Sequence, residues 1–175
     1  TGDLTLNWTN SYTGGTTVSQ GKLVGNTASL QGNITDNSAL EFSQATDGTY
    51  SGVVSGSGSL IKSGAGKVIL AGTNTYSGGT LVNAGTLQGD TTTLQGVITN
   101  NATIVYNQSI AGSFGTNANV ISGTGVLVKE GSGTLNLNAA NTYSGGTSLN
   151  AGAIRFNNNG SFGTGAVTIG SGTTI

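Results

Sequence analysis

The sequence predicts an all-β fold, a right-handed single-stranded parallel β-helix with about 20 residues per rung. Three observations predict it. A long internal repeat runs through the 175 residues, apolar–polar alternation is confined to runs of three to five residues, and the segments between those runs are rich in Gly, Asn and Ser with no Pro anywhere.

The repeat is the strongest of the three. Tyr12-Thr13-Gly14-Gly15-Thr16 recurs as Tyr76-Ser77-Gly78-Gly79-Thr80 and as Tyr143-Ser144-Gly145-Gly146-Thr147, at nearly equal spacings of which the second is slightly the longer. The flanks recur as well. Leu4-Thr5-Leu6 matches Val68-Ile69-Leu70 and Leu135-Asn136-Leu137, and Leu60-Ile61-Lys62 matches Leu127-Val128-Lys129. The three extra residues of the second copy fall between Asn107 and Val126, as a loop insertion would. Residues 1–175 therefore read as one β-helix segment holding copies at about 1–63, 64–130 and 131–175, the last truncated. Self-similarity at a fixed period is the signature of a solenoid, in which each unit buries its apolar face against its neighbours.

Within each copy, runs such as Ala102-Thr103-Ile104-Val105-Tyr106 and Ala166-Val167-Thr168-Ile169 alternate with period two, the pattern of a strand with one buried face. The intervening Gly, Asn, Ser and Asp supply positive φ and side-chain-to-backbone turns. No apolar stripe of helical period persists, so helix is expected to be near zero. Strands this short do not make a hairpin-linked sandwich, and no Asn-Gly or Asp-Gly pair joins two long alternating runs. A coil fits, with about three turns to each copy, eight or nine rungs in all and a length of about 40 Å at the usual strand spacing. Val, Ile and Leu are expected inside, with Thr and Asn outside. The absence of Pro fits strands that must donate to the ladder throughout.

Composition excludes several functions. Only 6% of residues are charged and the net charge is −1, against about 25% charged residues in an average domain. Lys22, Lys62, Lys67, Lys129 and Arg155 are scattered singly, so no basic patch invites nucleic acid or anionic lipid. Cys is absent and offers no disulfide frame. No apolar run of about 18 residues is present, and no basic-then-apolar leader; Thr1 is not a natural start, and the chain reads as a piece of something longer. With no His and no Cys, the usual bases, nucleophiles and soft metal ligands are missing. The acids are Asp3, Asp36, Glu41, Asp47, Asp90 and Glu130. Asp36 and Glu41 are the nearest approach to a glycosidase pair, which needs carboxylates about 5–10 Å apart. The second copy has Asn100 and Val105 at those positions, so the pair is not part of the repeating frame and reads as two solvated groups. No calcium-binding Asp cluster or nonapeptide array appears. Gly56-Ser57-Gly58 and Gly123-Thr124-Gly125 are rung corners, since no helix follows to bind phosphate. Asn-x-Ser/Thr sequons, such as those at Asn7, Asn33, Asn101 and Asn107, are what chance gives in a chain this rich in Asn and Thr.

The run from Lys62 to Thr80 (Lys-Ser-Gly-Ala-Gly-Lys-Val-Ile-Leu-Ala-Gly-Thr-Asn-Thr-Tyr-Ser-Gly-Gly-Thr) closely resembles the passenger-associated transport repeat of bacterial autotransporters. Lys129 to Thr147 resembles it too. The first copy departs, with Trp8 for Gly72 and Ala139, and Thr13 for Ser77 and Ser144. The resemblance implies an adhesin-like passenger exported by type V secretion and folded outside the cell. The parent chain would then carry an outer-membrane barrel, and this segment itself would make no membrane contact. The non-enzymatic reading, with no cofactor and no metal, comes from the missing His and Cys and the unclustered acids. The partners the resemblance implies are a neighbouring cell's copy of the chain, or a host surface protein or glycan, bound through rows of Thr and Asn. An inert stalk carrying an effector or protease, a polysaccharide-acting β-helix enzyme and an ice-binding Thr array are the alternatives. The enzyme lacks clustered carboxylates, and Thr73-Asn74-Thr75 and Thr91-Thr92-Thr93 do not recur at each rung.

Two sets of residues are singled out. Tyr12, Gly14, Gly15 and Thr16, with Tyr76, Gly78, Gly79 and Thr80 and with Tyr143, Gly145, Gly146 and Thr147, are expected to be structural, each ring packed at a corner with its hydroxyl bonded to backbone. Trp8, replacing a small residue at a turn, is the candidate contact residue, although a Trp also serves to cover the end of a coil. Arg155 and Phe156 mark where the third copy diverges. A coil without polar caps is further expected to associate end to end.

Overall fold

The computed structural model describes residues 2–115 and 119–175 and contains no helix among them. The first copy of the repeat supplies eight strands: β1 (Asp3–Thr5), β2 (Thr16–Val18), β3 (Lys22–Gly25), β4 (Ile34–Asp36), β5 (Ala39–Ser43), β6 (Gly48–Tyr50), β7 (Val54–Ser55) and β8 (Ser59–Ser63). The second supplies their counterparts in the same order, β9 (Lys67–Leu70), β10 (Thr80–Val82), β11 (Thr86–Gly89), β12 (Ile98–Asn100), β13 (Thr103–Asn107), β14 (Gly112–Phe114), β15 (Ile121–Ser122) and β16 (Val126–Glu130). The third adds β17 (Thr134–Leu137), β18 (Thr147–Leu149), β19 (Ala153–Phe156) and β20 (Val167–Ile169).

All strand pairs are parallel, and they stack into three faces. The first face runs β1-β3-β5-β8-β10-β12-β15 and the second β6-β9-β11-β13-β16-β18-β20. The third begins as β2-β4-β7 and resumes as β14-β17-β19. Irregular backbone carries it between the two: the Thr75 N–H donates to the Val54 carbonyl at 2.9 Å and the Asn74 N–H to the Thr92 carbonyl at 3.2 Å. The product is a parallel β-solenoid of about eight turns. Turn length, marked by registered partners, is short from Lys22 to Ala39 and long from Ile98 to Ile121, on either side of the expected value. The long turn is the one that carries the insertion. The offset between counterparts is constant through β6 and β14 and becomes larger from β7 and β15 onward, so the extra residues lie between Phe114 and Ile121. Residues 116–118 of that segment are outside the described residues.

The pitch of the repeat differs from the expected three turns. From Asp3, the registered steps to Lys22, Ala39 and Ser59 complete three turns on the first face. The next strand, β9, is the counterpart of β1, and it lies one face further on. Its own counterpart, β17, lies one face beyond that. One copy thus occupies three and one-third turns, because it is longer than three whole turns by the length of one face. The same shift holds for β2, β10 and β18, on the third, first and second faces in turn.

The alternation read in the sequence sets the core. Strands β3, β8, β9 and β11 alternate half-buried and buried positions, so every second side chain enters the coil. Leu23, Leu40 and Leu60 stack on the first face, Val68, Leu87, Ile104 and Leu127 on the second, and Leu135 and Ile154 on the third, and together they line one continuous apolar core. An aromatic pair fills a corner in each complete copy. Phe42 meets Tyr50 at 5.0 Å between ring centres, and Tyr106 meets Phe114 at 5.5 Å. The hydroxyl has changed partners between the two. Tyr50 donates to the Gly32 carbonyl, whereas the Tyr106 hydroxyl is buried with no partner.

Where the third face loses its strands, an Asn side chain replaces the ladder. Asn74 Oδ1 accepts the Val54 N–H of the turn before at 2.8 Å, and its Nδ2 donates to the Thr93 carbonyl of the turn after at 2.8 Å. Asn141 does the same between Ile121 and Ser161, at 2.8 and 2.7 Å. Asn10 donates to the Ser29 carbonyl. A corner with no regular strand leaves backbone groups without partners, and the amide, with one acceptor and two donors, suits both sides.

Three outcomes follow from this packing, each read by denaturant or thermal unfolding. Leu87→Ala loses roughly 2–5 kcal/mol as a buried large-to-small change, whereas Gln88→Ala on the outer side of the same strand stays within about 0.5 kcal/mol of the parent. Asn74→Ala orphans the Val54 N–H and the Thr93 carbonyl and costs roughly 1–3 kcal/mol for each. Tyr106→Phe removes an unpartnered buried hydroxyl and is neutral or stabilising by up to about 1 kcal/mol, whereas Tyr50→Phe, which gives up a made bond, destabilises.

Candidate functional surface

The Tyr-x-Gly-Gly-Thr motifs form three corners of one design. In each, the Tyr hydroxyl meets the Thr hydroxyl four residues on: Tyr12 with Thr16 at 3.0 Å, Tyr76 with Thr80 at 2.7 Å and Tyr143 with Thr147 at 2.6 Å. The hydroxyls of Tyr12 and Tyr76 also accept the N–H of Gln31 and Gln95 from the following turn. Tyr76 and Tyr143 are buried and Tyr12 is half-buried. Burial pushes the Tyr143 hydroxyl up to about 12, partly opposed by its bond to Thr147. The second glycine of each motif, Gly15, Gly79 or Gly146, has φ of +72°, +88° or +92°, and a Cβ on Gly78 or Gly145 would strike the carbonyl of Gly58 or Gly125 at 2.5 Å. Those glycines serve turn geometry and close stacking. Because each copy is rotated by one face, the three corners point in three directions and are not brought together.

Trp8 is 83% exposed. Its counterparts show what that position ordinarily meets. A Cβ on Gly72 would lie 2.3 Å from the Gly52 carbonyl oxygen of the turn before, and Ala139 is buried. Trp8 belongs to the first described turn.

The structure separates Asp36 from Glu41. Asp36 faces inward and is fully buried, and burial holds its carboxyl above the ordinary carboxylate range against the opposing effect of the Ser38 N–H. Glu41 faces outward on the first face, bonded by Lys22 Nζ at 2.7 Å and by the Ser63 hydroxyl at 2.6 Å. Partial burial raises the Glu41 carboxyl, but those two bonds and the Lys22 charge outweigh it and leave the group below its usual range. One carboxyl points into the coil and the other out of it. Among the described residues, no three acids gather as they would around a metal ion.

Sequence reasoning passed over Lys62 and Lys129 as isolated cations. Both are fully buried and occupy one repeat position. Lys62 Nζ donates to the carbonyls of Ser63, Gly64 and Ala84 at 2.7, 2.7 and 3.0 Å. Lys129 Nζ does the same to Glu130, Gly131 and Ala151. Three donors meet three carbonyls at a corner, a full complement for an ammonium group, although burial pulls both groups below the usual lysine range. The signal was present in the sequence as a lysine recurring in step with the repeat inside an alternating run.

The outer surface is less polar than expected. Register places Val24, Glu41, Ile61, Leu81, Thr99 and Ser122 in one outward column on the first face. On the second face Ile69, Gln88, Val105, Val128, Ser148 and Thr168 are aligned. Aliphatic side chains interrupt the Thr and Ser rows on both. Shallow depressions lie over Ile61, Leu81 and Val97 and over Ile69, Gln88 and Asn107. The copies also diverge here. Most inward positions match, as in Leu23 with Leu87, Leu60 with Leu127 and Lys62 with Lys129, whereas most outward ones do not, as in Thr17 with Leu81 and Glu41 with Val105, although Thr35 matches Thr99 and Ser55 matches Ser122.

Comparison with known proteins agrees with this geometry. The passenger-associated-transport-repeat family matches residues 1–24, 60–88 and 127–156, one match in each copy. The "Adhesin BmaC autotransporter" of Brucella suis biovar 1 (strain 1330) is 34% identical over 185 aligned residues, covering 85% of this chain and 5% of that protein's length. No solved structure matches the chain. A motif repeated three times as a corner on one parallel solenoid, in a chain aligned along most of its length with a stretch of an autotransporter, makes this a segment of an autotransporter passenger that carries the passenger-associated transport repeat in each copy.

Proposed function

We propose that this segment is the non-catalytic scaffold and contact surface of a secreted or surface-displayed adhesin, mediating cell adhesion or self-association. The observation that carries the reading is the split between the two sides of each strand. Most inward residues repeat from copy to copy, so the repeat encodes the coil, and most outward residues differ. The relative named as an adhesin supports the same role and a surface or secreted location. Outward columns of Thr, Ser and Asn interrupted by Val, Ile and Leu suit broad, weak contacts whose strength comes from number. A neighbouring cell's copy of the chain, or a host surface protein or glycan, is the partner such a surface fits, with Trp8 as its most exposed aromatic. The inert stalk is the competing reading, and one experiment separates the two. Bacteria displaying this segment, compared with a barrel-only control, are expected to clump or to bind host cells, and Trp8→Ala is expected to weaken that contact. Display of a folded segment that does neither assigns it to the stalk.

A further inference from the structure

At one inward position the two complete copies differ in charge. The first has Asp36 and the second Asn100, both fully buried at the end of equivalent strands. Asn100 shows what the position requires. Its Oδ1 accepts the Ala102 N–H at 3.2 Å, and its Nδ2 donates to the Val126 carbonyl at 2.9 Å. Asp36 reproduces the first bond, with Oδ1 accepting the Ser38 N–H at 3.0 Å. The counterpart of Val126 in the first copy is Ser59, each opening its strand. Where Asn100 presents a donor, Asp36 presents Oδ2, which is buried and has no partner. The pocket is equally tight in both copies. A Cβ on Gly58 would lie 2.3 Å from Asp36 Oδ2, and one on Gly125 would lie 2.6 Å from Asn100 Cγ.

We propose that Asp36 is held in the fold as the neutral acid, its Oδ2–H donating to the Ser59 carbonyl as Asn100 donates to Val126, so that this turn is latched in acid and loosens when the carboxyl ionises. An ionised Asp36 would set a carboxylate oxygen against a carbonyl oxygen, with no ion pair to offset it among the described residues. β2 and β7, which flank β4, carry no titratable residue. β5 carries Glu41, which faces outward and is held by Lys22 and Ser63. β8 carries Lys62, whose ammonium is committed to the carbonyls of Ser63, Gly64 and Ala84. Burial accordingly holds the Asp36 carboxyl above its ordinary range. A carboxyl raised in the folded state contributes stability that is fully present below its ordinary range and is lost as pH rises through the raised value. Glu41, displaced the other way, contributes stability that is lost as pH falls. An Asp36→Asn substitution leaves that contribution unchanged.

The test is thermal unfolding of the chain and of Asp36→Asn between about pH 4 and about pH 8, with and without added calcium. The variant is expected to melt close to the parent at the acid end and several degrees above it at the upper end. A gap that does not change with pH, or a variant less stable throughout, overturns the proposal. Calcium that raises the parent's midpoint but not the variant's assigns Oδ2 to a cation and overturns it as well. Infrared titration of the parent gives an independent readout if the variant does not fold. A buried acid carbonyl band persisting above the ordinary carboxylate range supports the neutral form, and its absence refutes it.

Discussion

Everything in this molecule depends on each turn finding its backbone partners in the turns before and after it. A parallel strand in a coil has no hairpin partner, so its N–H and C=O groups are satisfied only if the next turn arrives in register. That requirement keeps the turns close to one common length, confines variation to corners and excludes Pro from the strands. It also explains the glycines at which a neighbouring turn passes close by. A Cβ on Gly85 would lie 2.5 Å from the carbonyl oxygens of both Gly64 and Gly66, and the residue sits at φ +67°. Any other residue there would push one turn off the next.

The interior is consequently less uniform than the sequence pattern promises. Apolar columns hold the faces together, but corners leave carbonyls and N–H groups that no strand can reach. Buried polar side chains answer them, each matched to a particular deficit. Asn74 spans three successive turns, Lys62 gathers three carbonyls, and the Tyr76–Thr80 pair receives the N–H of Gln95. A buried ammonium without those carbonyls would be costly, and carbonyls without the ammonium would be orphaned, so the two are needed together. The residues that recur most faithfully are therefore apolar or polar according to where they stand on the turn.

Much of this is legible in the residues alone. Strand type, parallel stacking, turn length and the insertion in the second copy all follow from alternation and self-similarity, since both report the inward face directly. The polar interior is harder to read. Lys62 and Asn74 are ordinary surface residue types, and only their recurrence as Lys129 and Asn141 betrays a buried role. The pitch of the repeat escapes a reading of spacing because one-third of a turn is comparable to the variation in turn length itself. The outer surface is legible least. Most outward residues follow neither a packing rule nor the repeat, so Ile61 and Leu81 appear in columns where Thr and Asn were expected. The third copy shows the same limit. Phe156 takes the place of Gly25 and Gly89, and its ring lies 5.1 Å from that of Phe162, a rebuilt corner that nothing in the first two copies foretells.

The fractional pitch bears on how such a chain can grow. Gene duplication adds whole copies, and each copy added between two points turns everything beyond it by one-third of a revolution relative to everything before. A distal patch that faced a partner would face away after one duplication or one deletion, and would face it again only after three. Lengthening by multiples of three preserves orientation and changes reach alone; any other number changes both. Copy number in a coil of this kind is a rotational setting as much as a length.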